Sequence, residues 1–365
     1  MKRGDSSPNA VDLFCGAGGL TLGLKRAGFR VVLGVEVDEE IARTYKANHP
    51  DTKLLVKDVR EVSGKEILET TGLKAIDLVA GCPPCQGFSK LTDKYHRADP
   101  RNDLLLEMVR LVEEIAPRMV MIENVAGLTT RGKQIFRYCV ERLERIGYSV
   151  NAKVLQMADY GVPQSRRRLV LLAGRGFEIP LPKRTHCRGG DEKRKLKPWT
   201  TLADAIKKSD EPVKLSTAMK QGGPQKFNWH VVRDLEKISL DRLESLKEGN
   251  GRSSLPLGLR PSCHKKGDVG FSNVYGRMSW GQVSPTITSG CTSPCKGRFG
   301  HPSELRTISV REAAMIQTFP RRYKLDTEFM ETACILVGNA LPPKFARKAA
   351  VACLNQLRSD QDGST

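Results

Sequence analysis

Along the first half of the chain, short apolar runs alternate with stretches whose apolar residues recur at helical spacing. Ala10 to Phe14, Val31 to Val35, Lys53 to Val56, Ile76 to Ala80, Arg118 to Ile122 and Leu169 to Ala173 predict strands. Leu20 to Ala27, Glu39 to Asn48, Gly64 to Thr70, Leu104 to Ile115 and Lys133 to Ile146 predict the helices between them. Tyr148 to Val154 reads as a hairpin. Strands that alternate with helices build a parallel sheet, so the fold class is α/β with a Rossmann-like large domain.

Periodicity weakens after about Phe177. Up to about Gly300 the chain is rich in Lys, Arg, Gly, Pro and Ser, which predicts a smaller, irregular, β-containing domain over residues 177–300. Order returns over Leu305 to Phe319, where Ser309 and Glu312 read as a capping box. Val337-Gly-Asn-Ala-Leu-Pro-Pro343 then reads as a turn at the start of a last helix, Lys344 to Leu357. The large domain is therefore expected to comprise residues 1–176, completed by 301–365.

Charge narrows the choice of partner. The 365 residues carry a formal net charge of +19, which points to a polyanion, with nucleic acid first. Lys183, Arg184, Arg188, Lys193, Arg194, Lys195 and Lys197 gather where the irregular domain begins. The ten cysteines are too irregularly spaced for a disulfide framework, and Cys139, Cys334 and Cys353 sit in apolar runs as reduced core thiols do. Cys187, Cys263, His264, Cys291 and Cys295 lack paired ligand spacing, so no metal is expected. MKRGDSSPNA lacks the apolar core of a secretory signal, and no run approaches the ~18 apolar residues of a membrane span. These features predict a soluble, cytoplasmic protein.

Candidate chemistry collects at the predicted strand ends. Cys15-Gly-Ala-Gly-Gly19 follows the first strand, and Glu36 ends the second, 20 residues beyond Gly16. An acid there suits the ribose hydroxyls of an adenosine. Leu22 stands where a dinucleotide site would carry its third glycine, so S-adenosylmethionine fits better than NAD. Asp58, after the third strand, suits an adenine amino group or a helix cap.

Gly81 to Ser89, GCPPCQGFS, leaves the fourth strand through two stiffening prolines. Its C-x-x-C leaves a nucleophile, a redox pair and half a zinc site all open. The polar stretch Lys90 to Asn102, with Lys90, Lys94, His96, Arg97 and Arg101, reads as a lid that closes on a polyanion. Glu123 ends the next strand, and alternation puts Gln164, Arg166 and Arg168 on one face of the strand that follows. Glu36, Asp58, Cys85 and Glu123 thus converge on one sheet edge.

DLFCGAGG, GCPPCQGFS, ENV, QSRRR, RTISVREAAMIQTFP and VGNALPP, in this order, resemble the successive motifs of the cytosine-5 DNA methyltransferases of the prokaryotic modification type. The resemblance covers residues 10 to about 175 and about 305 to 350. It implies an S-adenosylmethionine-dependent methyltransferase fold, with residues 177–300 as the target-recognition domain. The implied reaction moves a methyl group from S-adenosylmethionine to C5 of a flipped-out cytosine in double-stranded DNA, within a short specific sequence. The implied route is a covalent Cys85–C6 adduct, and the product is S-adenosylhomocysteine.

By the same resemblance Glu123 holds the N3 and N4 edge of the base, while Arg168, with Arg166 beside it, faces the cytosine O2. Asn124 orders the loop. Phe14 stacks on the adenine, Glu36 takes the ribose and Asp58 the adenine amine. Gly16, Gly18, Gly19, Val37, Pro83 and Leu104 line that pocket, and Asn339 and Ala340 approach the methionine end. Ala340 departs from the Ser common in the family. Gln86, Ser89, Lys90, Arg97 and Gln164 are expected to touch DNA. Partners implied are duplex DNA and a cognate restriction endonuclease acting separately, with no membrane; a monomer associated with the nucleoid is expected. A tRNA methyltransferase and a catalytically silent nucleic-acid binder are the alternatives. Intact Cys85, Glu123, Arg166 and Arg168 argue against the silent binder.

Overall fold

The computed structural model describes residues 7–84, 103–262 and 273–362. Within them the chain forms two compact units. One comprises residues up to Tyr160, Arg167–Arg184 and the stretch from Leu341 onward; the other comprises Gly161–Arg166 and Thr185–Ala340.

The first unit is built on a seven-stranded sheet. Its strands are β1 (Asn9–Leu13), β2 (Arg30–Glu36), β3 (Lys53–Val56), β4 (Leu78–Gly81), β5 (Met119–Val125), β6 (Tyr148–Gln156) and β7 (Arg167–Arg175), in the order β3-β2-β1-β4-β5-β7-β6. The first five are parallel, and β7 runs antiparallel to both β5 and β6. Winding reverses between β1 and β4. That reversal opens a crevice at the carboxyl ends of these two strands, where open α/β sheets bind ligands. Both the glycine turn and the Pro83-Pro84 segment leave the sheet there.

Helices α1 (Gly19–Ala27), α2 (Glu39–Asn48), α3 (Gly64–Thr71), α4 (Leu104–Ile115) and α5 (Lys133–Arg145) supply the crossovers. Asp38 caps α2 by accepting from the Glu40 and Ile41 amides, and Ser63 caps α3. The central strands are nearly all apolar because helices cover both faces. Val11, Leu13, Val79, Met108, Val112, Val120 and Leu171 share one buried core. The stretch Tyr148 to Val154 is a single strand rather than a hairpin of its own; its partner is β7, with Tyr148 opposite Arg175.

The second unit holds two short parallel strand pairs, β8 (His186–Cys187) with β9 (Lys197–Pro198) and β10 (Val213–Lys214) with β11 (Val231–Val232). Helices α6 (Leu202–Ile206), α7 (Leu215–Lys220), α8 (Lys237–Glu244), α9 (Val310–Ile316) and α10 (Met330–Asn339) complete it. The expected capping box opens α9, with Ser309 Oγ accepting from the Glu312 amide and Glu312 from the Ser309 amide.

Residues 301–340, expected in the large domain, cluster instead with 185–300. Buried side chains stitch them there. Arg277 donates to the His301 and Glu304 carbonyls, Trp229 to the Leu325 carbonyl, and Arg311 to Asn228 and Tyr323. The closing helix α11 (Pro343–Asp362) returns to the first unit and packs on α1.

Candidate active site

The turn after β1 is bent by backbone that side chains rarely adopt. Phe14 has φ 59°, Gly16 53° and Gly18 82°. A phenylalanine there is strained, and strain of this kind gathers where a ligand is gripped. Glu36 closes the turn: its Oε2 accepts from the Gly16 amide at 2.9 Å, and its Oε1 from the amides of Val37 and Asp38 at 3.0 and 3.1 Å. Burial raises the Glu36 pKa, against those three bonds. Cys15 beside it is buried, and burial lifts its thiol well above the usual range, so it is inert. Val37 and Val56, on neighbouring strand ends, are 62% and 45% exposed. With Phe14 they offer apolar surface for a flat ring beside a carboxylate suited to a ribose. Leu104 lies buried at the start of α4.

Asp58 serves as a cap. It accepts from the Arg60 amide and pairs with the Arg60 guanidinium at 2.8 Å, which holds its carboxyl below the ordinary range. Sequence reasoning missed Asp12. It is fully buried on β1, accepts from Thr21 Oγ1 at 2.6 Å, and burial pushes its pKa to about 7. Its only sequence signal is an acid inside an apolar strand.

Gly81 of β4 pairs with Ile122 of β5, so the segment leading toward Cys85 starts beside Glu123. A Cβ on Gly81 would stand 2.8 Å from the Leu13 carbonyl, so the close approach of strands there demands glycine. Asn124 Nδ2 donates to the Pro83 carbonyl at 3.1 Å, while its Oδ1 accepts from the Val125 amide. Cys85, Gln86, Ser89, Lys90 and Arg97, with the rest of the expected lid, lie outside the described residues.

Glu123 is buried, and Arg168 Nε lies 3.0 Å from its Oε1. The pairing of β5 with β7 sets Arg168 opposite Val125, which brings the guanidinium back over Glu123. The charges touch without hydrogen-bond geometry, so Oε1 has no hydrogen-bond partner among the described residues. A buried carboxylate in that state has acceptor capacity to offer a ligand.

Gln164, Arg166 and Arg168 do not act as one face. Gln164 is fully buried; its Nε2 donates to Gln317 and its Oε1 accepts from the Ile287 amide, so it has no surface to present to DNA. Arg166 is buried and donates to the carbonyls of Ile287 and Gly338 at 3.0 and 3.2 Å. It braces backbone in the second unit, whereas Arg168 meets Glu123 in the first. Asn339 ends α10, rather than opening a helix, and is exposed.

The profile of the family described as C-5 cytosine-specific DNA methylase matches residues 9–355. The chain belongs to this family. The methylase is 36% identical to the Type II methylase M.HgiDII of Herpetosiphon aurantiacus, over 93% of each chain. It is 34% identical to the Type II methyltransferase M1.HphI of Haemophilus parahaemolyticus, over 94% of this chain and 86% of the other. Its fold is similar to that of Spodoptera frugiperda DNMT2, with a TM-score of 0.65 at 20% identity, covering 95% of the methylase and 100% of that chain.

The methylase is thus an S-adenosylmethionine-dependent enzyme that methylates C5 of cytosine in DNA. Among the described residues no group of three or more His, Cys, Asp or Glu is placed to hold a metal ion. None of the described helices is long and apolar enough to cross a membrane.

Proposed function

We propose that the methylase attacks C6 of a flipped-out cytosine with the Cys85 thiolate, within a short specific sequence of duplex DNA. C5 of free cytosine is too weak a nucleophile to accept a methyl group unaided. A thiolate bonded to C6 makes the ring an enamine, nucleophilic at C5; loss of the C5 proton and expulsion of the thiolate restore the ring. The Asn124–Pro83 bond is the observation that carries this reading, because it ties the backbone two residues before Cys85 to the strand end that bears Glu123. Glu123 then offers its free acceptor to the N4 amine, and to N3 once that nitrogen takes a proton as the thiolate adds at C6, while Arg168 faces the negative charge that grows at O2.

S-adenosylmethionine supplies the methyl group. Phe14, Gly16, Gly18, Gly19, Val37, Pro83 and Leu104 are its proposed pocket, Glu36 its ribose ligand and Asp58 its adenine contact. Asn339 and Ala340 take its methionine end. Residues 185–300 read the target, with the exposed Arg188, Lys193, Arg194, Lys195 and Lys197 on phosphates. In the cell the methylase works as a monomer on the nucleoid, beside a separate endonuclease that its product blocks.

Bisulfite sequencing of DNA from a methylation-deficient bacterial host expressing the chain tests this directly. Protection at one short recurring sequence, lost with Cys85→Ala, is the expected result. Full protection with Cys85→Ala would overturn the covalent route.

A further inference from the structure

Helix α10 has an end that its own backbone cannot close. Helices leave their last carbonyls without intrahelical partners, and the residues just beyond usually supply amide donors. Here Leu341 is followed by Pro342 and Pro343, which have no N–H. Two side chains from elsewhere in the second unit donate instead. Gln317 Nε2 donates to the Val337 carbonyl at 2.7 Å and to the Ala340 carbonyl at 3.1 Å, and Arg166 reaches the Gly338 carbonyl between them. A guanidinium at a helix carboxyl end also answers the helix dipole.

Gln317 is itself held. Its Oε1 accepts from Gln164 Nε2 at 2.7 Å, and Gln164 Oε1 accepts from the Ile287 amide at 2.8 Å. Ile287 also gives its carbonyl to Arg166. Both glutamines are fully buried, so each donor and acceptor in this chain would be stranded if its partner were removed. Gly338 sits so close to the 288–289 backbone that a Cβ would fall 2.2 Å from the Thr288 carbonyl carbon. Asn339, the next residue, is exposed at the tip of this braced end.

We infer that Gln317 is a positioning residue for the cofactor: through paired glutamine amides it fixes the α10 end that presents Asn339 and Ala340. The inference rests on the reading that these two residues take the methionine end of S-adenosylmethionine. Gln164 has the second place in the chain, and Arg166 braces the same end.

The test is calorimetric titration of the full-length methylase and its variants with S-adenosylhomocysteine, beside DNA affinity and thermal unfolding. Gln317→Met keeps length and volume but removes both donors, and Gln317→Glu keeps the acceptor for Gln164 but also removes them. Both are expected to weaken cofactor binding about tenfold, as loss of buried hydrogen bonds does, with DNA affinity unchanged. Gln164→Met leaves Gln317 in place but unanchored, with an expected loss of about threefold. Asn339→Ala is the reference for the underlying reading. If Asn339→Ala weakens binding while the Gln317 variants lower only the melting temperature, the positioning role is overturned and the reading of Asn339 stands. If none of the variants changes affinity, both fall. Should the Gln317 variants fail to fold, Gln164→Met decides: unchanged affinity overturns the role.

Discussion

Asn124 on β5 holds the carbonyl of Pro83 at 3.1 Å, linking two adjacent strands just beyond the last residue pair of their ladder, Gly81 with Ile122. The bond comes from a buried amide that also steadies the next backbone N–H. It holds the backbone at Pro83, two residues before Cys85 in the sequence.

Asn124→Leu should therefore separate position from folding. Loss of the bond is expected to lower stability by about 1 to 2 kcal/mol. Misplacing a nucleophile by about an ångström is expected to lower kcat about a hundredfold. Single-turnover methyl transfer and urea unfolding read the two effects apart, and a stability loss with unchanged single-turnover rate would mean that the bond serves folding alone.

The Glu123–Arg168 pair is mostly withdrawn from solvent, with side chains 7% and 17% exposed. Removing one member strands the other, so Arg168→Met is expected to cost about 3 kcal/mol or more. Adding Glu123→Gln should recover part of that loss, a coupling visible in a double-mutant cycle by urea unfolding. Methyl transfer should stay absent in all three variants. Recovery of activity in the double variant would mean that the pair matters for folding alone.

Asp12 sets a pH signature. Its pKa is about 7 in the folded chain, well above the value of an exposed aspartate. The folded state therefore binds the extra proton between about pH 4 and 7, and stability from this group falls as pH rises across that window. His49 and His301, both lowered to about 4 by burial, act in the opposite sense: the unfolded state binds their protons first, so their contribution is lost as pH falls from 6.5 toward 4. Asp12→Asn should expose this rise, giving a steeper gain of stability from pH 4.5 to 6.5 than the parent shows. Melting temperatures over that range check it; an unchanged profile would mean Asp12 stays ionised.

The basic stretch Arg188 to Lys197 should contribute affinity without specificity. Replacing Lys193, Lys195 and Lys197 by Gln is expected to reduce the salt slope of DNA binding by about 0.9 for each phosphate that is no longer neutralised. The methylated sequence, read by bisulfite sequencing, should not change.

The sheet was legible because β1 to β5 are short, apolar and separated by helices of ordinary period. Glu36 and Glu123 were legible as acids closing such strands. The assignment of residues 301–340 was not, because it depends on Arg277, Arg311 and Trp229 meeting the carbonyls of His301, Asn228 and Leu325 far along the chain, and no local period encodes that. Gln164 misled for a related reason: beside Arg166, Arg167 and Arg168 it resembles part of a DNA-facing surface. Its partners at Gln317 and Ile287 lie 153 and 123 residues away. Gln317 stands in the RTISVREAAMIQTFP motif with nothing local to mark its role, since an amide's worth is set by what surrounds it.

Helix α11 meets α1 so tightly that a Cβ on Gly23 would stand 2.3 Å from that of Ala346. On the ribosome, then, the first unit is begun by segments made before the second unit and closed only after that unit has been synthesised. Until α11 emerges, the apolar face of α1 lacks its cover and is open to a chaperone or to another nascent chain. The second unit can fold as an excursion during that wait, so synthesis order delays completion of the first.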